Sequence, residues 1–396
     1  MAWRADPGMD LILNVHLKPS GKEESVSPMI GLYFTDKPQS KYPMLVQLER
    51  DNALDIPAGE KDFIVTDEFK ASMDMNVLSI YPHARYLAKV MEAFATLPDG
   101  TTKWLVEIKD WDLKWQGVFR YKRPVLLPKD SVVTMRYHFD NSADNPRNPN
   151  HPPKRIVGGN RADLEMSHFW LQVLPVKNGD QRAVLQESLV VQRLAKNPDD
   201  FIANFNMGDL LLNKGKVPEA IKYFERASKS DPSSVLAMSE LGAALYASGQ
   251  MEKAEQQFQK ALALDRYYTD ARFNLASVEA SLGEWEAASN DFKQVLVEKP
   301  DDARASQRLG QLLVLWGDAL AKSGKDTEAI GKYQEAVPRL ADSVDLRVRL
   351  GMALARQDRL AESQAEFESA LQLKPDLKLA QEAVTAIKKR RAEMGK

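Results

Sequence analysis

The stretch Phe224–Phe258, FERASKSDPSSVLAMSELGAALYASGQMEKAEQQF, begins and ends on an aromatic residue, and Phe292 follows at the same spacing of 34. After a longer gap, Tyr333 and Phe367 again stand 34 apart. Small residues keep step with the rings: Gly208, Gly242, Ala276, Gly310 and Gly351 in one position, Ala220, Ala254, Ala288, Ala329 and Ser363 in another. Pro232, Pro300 and Pro375 recur at the end of their units, with Arg266 in place of proline in the second. The pattern predicts pairs of antiparallel helices. Small side chains let the two helices approach, and the ring fills the gap to the next unit. Proline stops the second helix because it has no N–H and clashes with the preceding turn. A lone hairpin cannot bury its apolar face, so the units stack.

These residues resemble the tetratricopeptide repeat family, over five units from about Phe201 to Pro375. The expected division of the chain is a linker and leading helix over 176–198, five repeats over 199–377, and a capping helix over 378–396. Seven extra residues between Gly310 and Ala329 are expected to lengthen the fourth hairpin around Trp316–Lys325. By the resemblance, first-helix positions line a groove that receives a protein or peptide. In the first repeat these are Ile202, Phe205 and Asp209, and in the second Ser239, Ala243 and Tyr246. Phe273 and Ser277 follow in the third, Gln307 and Gln311 in the fourth, Val348 and Met352 in the fifth. The version of this family that clamps chaperone C-terminal tails uses a Lys and Asn set there. Phe205 and Asp209 stand at the first-repeat positions, so such tails are not the expected ligand.

Before Pro175 the character changes. Short runs rich in β-branched and aromatic residues, such as Asn76–Tyr81, Trp104–Ile108 and Val132–Phe139, are separated by turn clusters such as Pro98-Asp99-Gly100 and Pro128-Lys129-Asp130. A long loop rich in Asn, Asp and Pro spans Asp140–Arg155. Strands at this spacing predict an antiparallel β-sandwich over 41–175. Trp104, Trp111 and Trp115 read as packing within it.

Two segments of this half, Ser79–Met91 (SIYPHARYLAKVM) and Leu164–Pro175 (LEMSHFWLQVLP), resemble the C-terminal domain of copper type II, ascorbate-dependent monooxygenases. The resemblance implies a copper held by a His-x-His pair on one strand and a methionine from a later strand, with an ascorbate-like reductant. Alternate strand residues share a face, and a soft thioether favours Cu(I). Here the first histidine is His83 and the methionine is Met166. Arg85 occupies the second histidine position, and a guanidinium offers a metal no lone pair. His168, two residues beyond Met166, is a candidate substitute. Leu11–Lys18 (LILNVHLK) resembles the last copper strand of the family's electron-transfer domain, which makes His16 a remnant ligand and residues 1–40 the remnant of that domain. Intact members of such a family hydroxylate C–H bonds outside the cytosol. For this chain the expectation is a truncated or catalytically impaired form, with a non-enzymatic binding scaffold as the alternative.

Composition narrows the field further. The chain has 396 residues and a net charge of −2, so no electrostatic grip on nucleic acid is expected. No apolar run is long enough to span a bilayer, and residues 1–10 lack the pattern of a signal peptide. With no cysteine there is no disulfide, thiolate metal site or Cys nucleophile. The run Lys388–Arg391 reads as a solvated helix end, where cations suit the dipole.

Overall fold

A computed structural model describes residues 22–23, 25, 27–31, 41–159, 161 and 163–394. His16 and the strand expected around it lie outside the described residues. The chain divides into two compact units, 1–195 and 196–396.

The first unit is built on two four-stranded antiparallel sheets that share one hydrophobic core. One sheet has the order β1 (Met44–Glu49), β10 (His168–Pro175), β4 (Met75–His83), β7 (Phe119–Leu127). The other runs β3 (Phe63–Lys70), β8 (Val132–Phe139), β5 (Ala88–Thr96), β6 (Thr102–Ile108). A short ladder joins β2 (Asp55–Ile56) to β9 (Ile156–Val157). Alternation puts every second residue inside: Val65 and Phe69 of β3, Val46 and Leu48 of β1, and Phe169, Leu171 and Val173 of β10 are all buried. Tyr137 of β8 is fully buried, and its hydroxyl donates to the His168 carbonyl at 2.7 Å, joining the two sheets. The 140–155 loop closes on itself. Asn141 Nδ2 donates to the carbonyls of Ile56, Pro57 and Lys154, and Asn148 Nδ2 donates to Asn141 Oδ1. Helix α1 (Arg182–Lys196) adds Leu185 to this core, and Gln192 bonds both the N–H and the carbonyl of Lys70.

The second unit is a run of helical hairpins. These are α2 (Phe201–Asn213) with α3 (Val217–Ser230), α4 (Val235–Ala247) with α5 (Met251–Leu264), and α6 (Thr269–Leu282) with α7 (Trp285–Glu298). Next come α8 (Ala303–Lys322) with α9 (Asp326–Ala336), α10 (Val344–Arg356) with α11 (Leu360–Leu373), and a closing α12 (Lys378–Met394). Asp200, Ser234, Asp302 and Ser343 cap first helices by accepting the N–H three residues on. The core of this unit falls into clusters. One runs from Ala220 to Val278, a second from Ala276 to Leu354, a third from Leu360 to Ile387, and α6 contributes to the first two.

Within hairpins, a ring of the second helix lies against a glycine of the first. A β-carbon on Gly208 would sit 2.6 Å from Phe224, one on Gly242 2.8 Å from Phe258, and one on Gly351 3.0 Å from Phe367. The fourth repeat departs from the expected register. Gly317, not Gly310, faces its ring: a β-carbon there would lie 2.5 Å from Tyr333, while Gly310 faces Leu340 and Arg339. Helix α8 is 20 residues long, against 13 or 14 for the other first helices. Seven residues are close to two helical turns, so the insertion returns to the same face, and Gly317 meets α9 while Gly310 meets the turn that follows it.

Substituting Gly317→Ala is expected to lower stability by roughly 1–3 kcal/mol, since the ring has no room to retreat. Gly331→Ala, in α9 with open space around its α-carbon, is expected to raise it by about 0.5–1 kcal/mol. Urea unfolding of the two variants checks both signs.

Candidate functional site

In the first unit, two of the sequence-predicted residues, His83 and His168, meet at one end of the β4–β10 pair. His83 and His168 are direct partners across the ladder, with ring centroids 6.1 Å apart. Trp170 stands edge-on to His168 at 5.1 Å, and Tyr81 lies 5.3 Å from Trp170. His83 Nδ1 is 2.6 Å from Gln116 Oε1. His168 is buried, and its Nε2 lies 3.8 Å from Glu49, whose carboxylate also faces Arg193 at 3.5 Å. Met166 is half-buried, two residues before β10.

Arg85 enters this region through its backbone. Its N–H donates to Glu165, and its carbonyl accepts the Trp111 indole N–H at 3.1 Å. Glu165, which no sequence motif singles out, anchors the whole corner. It is 1% exposed and accepts from the N–H groups of Arg85, Leu87 (2.9 Å) and Met166 (2.9 Å). Burial pushes its carboxyl up to about 7, against the three amide donors that favour the charged form. Among the described residues no group of three or more His, Cys, Asp or Glu is arranged to hold a metal.

The tryptophan expectation needs correction. Trp111 is buried, but Trp104 is 54% and Trp115 79% exposed. Trp115 belongs to a single helical turn, Leu113–Trp115, with no buried residue.

The candidate groove residues of the second unit separate into two kinds. Phe205 lies against Phe201 and Phe224 (6.1 and 5.7 Å), and Phe273 against Phe292 (5.5 Å) with the Arg304 guanidinium 5.2 Å from its ring. Ser239 is 3% exposed, so it packs between helices and faces no solvent. Ala243 and Val348 are half-buried. Tyr246 hydroxyl meets Ser281 Oγ at 3.2 Å, and Ser277 Oγ donates to the Phe273 carbonyl at 2.9 Å. Ile202, Gln307, Gln311 and Met352 are exposed.

The electrostatics of this face emerge only from the packing. Asp209 is half-buried, and burial raises its carboxyl. Glu240 is raised first by burial, then by the carboxylates of Asp209 and Asp270. Glu279 is 7% exposed with Oε2 lacking a hydrogen-bond partner. Burial, then Asp291, Glu284 and Glu255, push it up to about 8, with Arg272 pulling the other way. The repeat register holds a signal for it. Glu279 falls three residues after Ala276, where the other units place Leu211, Leu245, Leu320 and Leu354 after their glycines.

Comparison with known proteins bears on the second unit. Tetratricopeptide repeat profiles match residues 194–269 and 314–378, and a related profile matches 245–312. No curated protein matches the chain. Among solved structures, YrrB, a tetratricopeptide protein with an unusual peptide-binding site, is 20% identical over 49% of this chain and 96% of its own, with a TM-score of 0.39. MamA 41-end from Desulfovibrio magneticus RS-1 is 20% identical over 45% of this chain and 97% of its own (TM-score 0.36). The second repeat domain of human RPAP3, in complex with an HSP70 peptide, is 25% identical over 28% of this chain and 92% of its own (TM-score 0.28). Among the described residues no helix is long and apolar enough to cross a membrane.

The raised carboxyl of Glu279 has a definite sign. It favours the folded state's protonated form, so stability is complete below its ordinary value of 4.5 and is lost as pH climbs through about 8. Glu279→Leu is therefore expected to gain roughly 1–3 kcal/mol over the parent at pH 8.5 and much less at pH 5. Urea midpoints at the two pH values check it, and an equal gain at both would refute the assignment.

Proposed function

We propose that this chain, whose helical unit is built of tetratricopeptide repeats, works as a non-enzymatic scaffold that holds an extended segment of another protein along its first helices. The supporting observation is that first-helix residues of the first, fourth and fifth repeats stay exposed. Ile202, Gln307, Gln311 and Met352 stay open to solvent, while the aromatics behind them are consumed in stacking. The face is acidic at its start, at Asp209 and Glu240, while farther along Asp270 pairs with Arg304 at 3.6 Å and Asp318 with Arg349 at 2.6 Å. A segment with a basic end complements the first two repeats. Acidic chaperone-type tails meet repulsion in the first repeat.

The β-domain, which we read as a β-sandwich, serves in this view as a platform. Selection of a peptide library on the chain, followed by calorimetry, tests the idea. Selected peptides are expected to lose roughly tenfold in affinity to an Asp209→Lys/Glu240→Lys variant, as truncating close charge complementarity does. Indifference of every selected peptide to that reversal would remove the groove as the binding face.

A second reading keeps copper in the β-domain, at His83 and His168 with Met166. What favours it is the cross-strand placement of the two imidazoles. Against it stand Gln116 on His83, Glu49 beside His168, and Arg85 where a histidine is wanted. These neighbours fit a copper centre poorly, so no oxygen chemistry or ascorbate-like reductant is routed through it, and the extracytoplasmic location tied to that chemistry stands or falls with it. Titration with Cu(I) under anaerobic conditions decides. The scaffold reading expects the parent to bind no more tightly than a His83→Ala/His168→Ala variant. Stoichiometric binding lost in that variant would restore the copper reading.

A further inference from the structure

We infer that the cleft between the start of α7 and the projecting end of α8 is a receptor for a cationic side chain, a lysine or arginine of a partner polypeptide. It is a different surface from the first-helix groove, and neither reading rests on the other.

The cleft follows from the insertion in the fourth repeat. Helix α6 has 14 residues and α8 has 20. The six extra residues carry α8 about 9 Å further, at 1.5 Å per residue. Trp316 is the fourteenth residue of α8, level with Leu282 at the end of α6, where the chain turns into α7. Beyond that level α8 has no first-helix neighbour from the third repeat. An open cleft of about 600 Å³ results, lined by Glu284, Trp285, Glu286, Ala287, Asn290 and Trp316.

The lining chooses the ligand. Two indoles offer electron-rich faces, and two carboxylates offer negative charge. Glu284 and Glu286 are exposed, and the Glu284 side chain makes no capping hydrogen bond to α7 although it stands at the cap position. None of the residues lining the cleft is a lysine or arginine. Lys332 Nζ already lies 3.5 Å from the centroid of Trp316, so that indole holds one cation of the chain itself, and a second is met by Trp285 and the two carboxylates. Carboxylates beside aromatic faces complement an ammonium or guanidinium at the end of an apolar stem, which the indoles can cover. An uncharged apolar side chain would leave two carboxylates without a counter-charge.

The test is a titration of the full chain with N-acetyl-arginine amide, and with its neutral isostere N-acetyl-citrulline amide. The readout is the indole N–H resonances of Trp285 and Trp316, assigned from Trp→Phe variants. The arginine probe is expected to shift those two resonances saturably while the citrulline probe does not, and Glu284→Gln/Glu286→Gln to weaken binding roughly fivefold. Both glutamates are exposed, so that variant keeps its fold, checked by an unchanged melting temperature. Equal response to the neutral probe would make the cleft a merely apolar site and overturn the proposal. So would an absence of saturable shifts, or full retention of binding in the double variant.

Discussion

Four of the five hairpins of the repeat unit depend on a close approach that only a missing side chain permits. A ring on the second helix fills the space where a β-carbon on the first would be, within 3.0 Å at Gly208, Gly242, Gly317 and Gly351. The third repeat uses Ala276 with Phe292, both buried. This contact sets the distance between paired helices, and the distance sets which residues remain for the outer face. Phe205 and Phe273 are drawn inward to support the same rings. The exposed face is what the packing leaves over, and its chemistry can vary from repeat to repeat without disturbing the stack.

The β-domain has its own constraint in Glu165. One buried carboxylate collects three backbone amides around the Arg85–Leu87 turn and the approach to β10. The turn after β4 is thereby tied to the strand that pairs with it, and His83 and His168 are brought opposite each other. Buried N–H groups need acceptors, and a carboxylate that meets three of them is hard to replace with any neutral residue. The same arrangement explains why Arg85 does not take the place of a metal ligand. The corner uses that residue's main chain, and its guanidinium adds a favourable charge near the Glu165 carboxylate.

Much of this is legible in the residues alone. The 34-residue period implies five hairpins, and alternation places β4, β6 and β8 close to their observed limits. The fourth repeat is ambiguous because a seven-residue insertion nearly repeats the helix. Gly310 and Gly317 therefore look alike in sequence, and only the position of Tyr333 distinguishes them. Ser239 belongs on the open face by analogy with its repeat position, yet tight stacking closes over it. Trp104 and Trp115 suggest packing by residue type, which cannot tell which side of a strand or turn faces water. Of the residues the copper resemblance singles out, His83 meets only His168, the substitute suggested beside it, and a pair of facing imidazoles is less than a metal centre. Glu279 is a departure the repeat itself exposes, a carboxylate where the register asks for leucine.

Helix α6 belongs to two cores at once, with Ala271, Leu275 and Val278 in the first and Ala276 in the second. It also carries Glu279, the buried carboxylate with an unpartnered oxygen. In a linear array, cooperativity passes only between neighbours, so the coupling of the whole is limited by its poorest joint. The third repeat is therefore the joint at which a rise in pH, by charging Glu279, loosens the contact between the two cores.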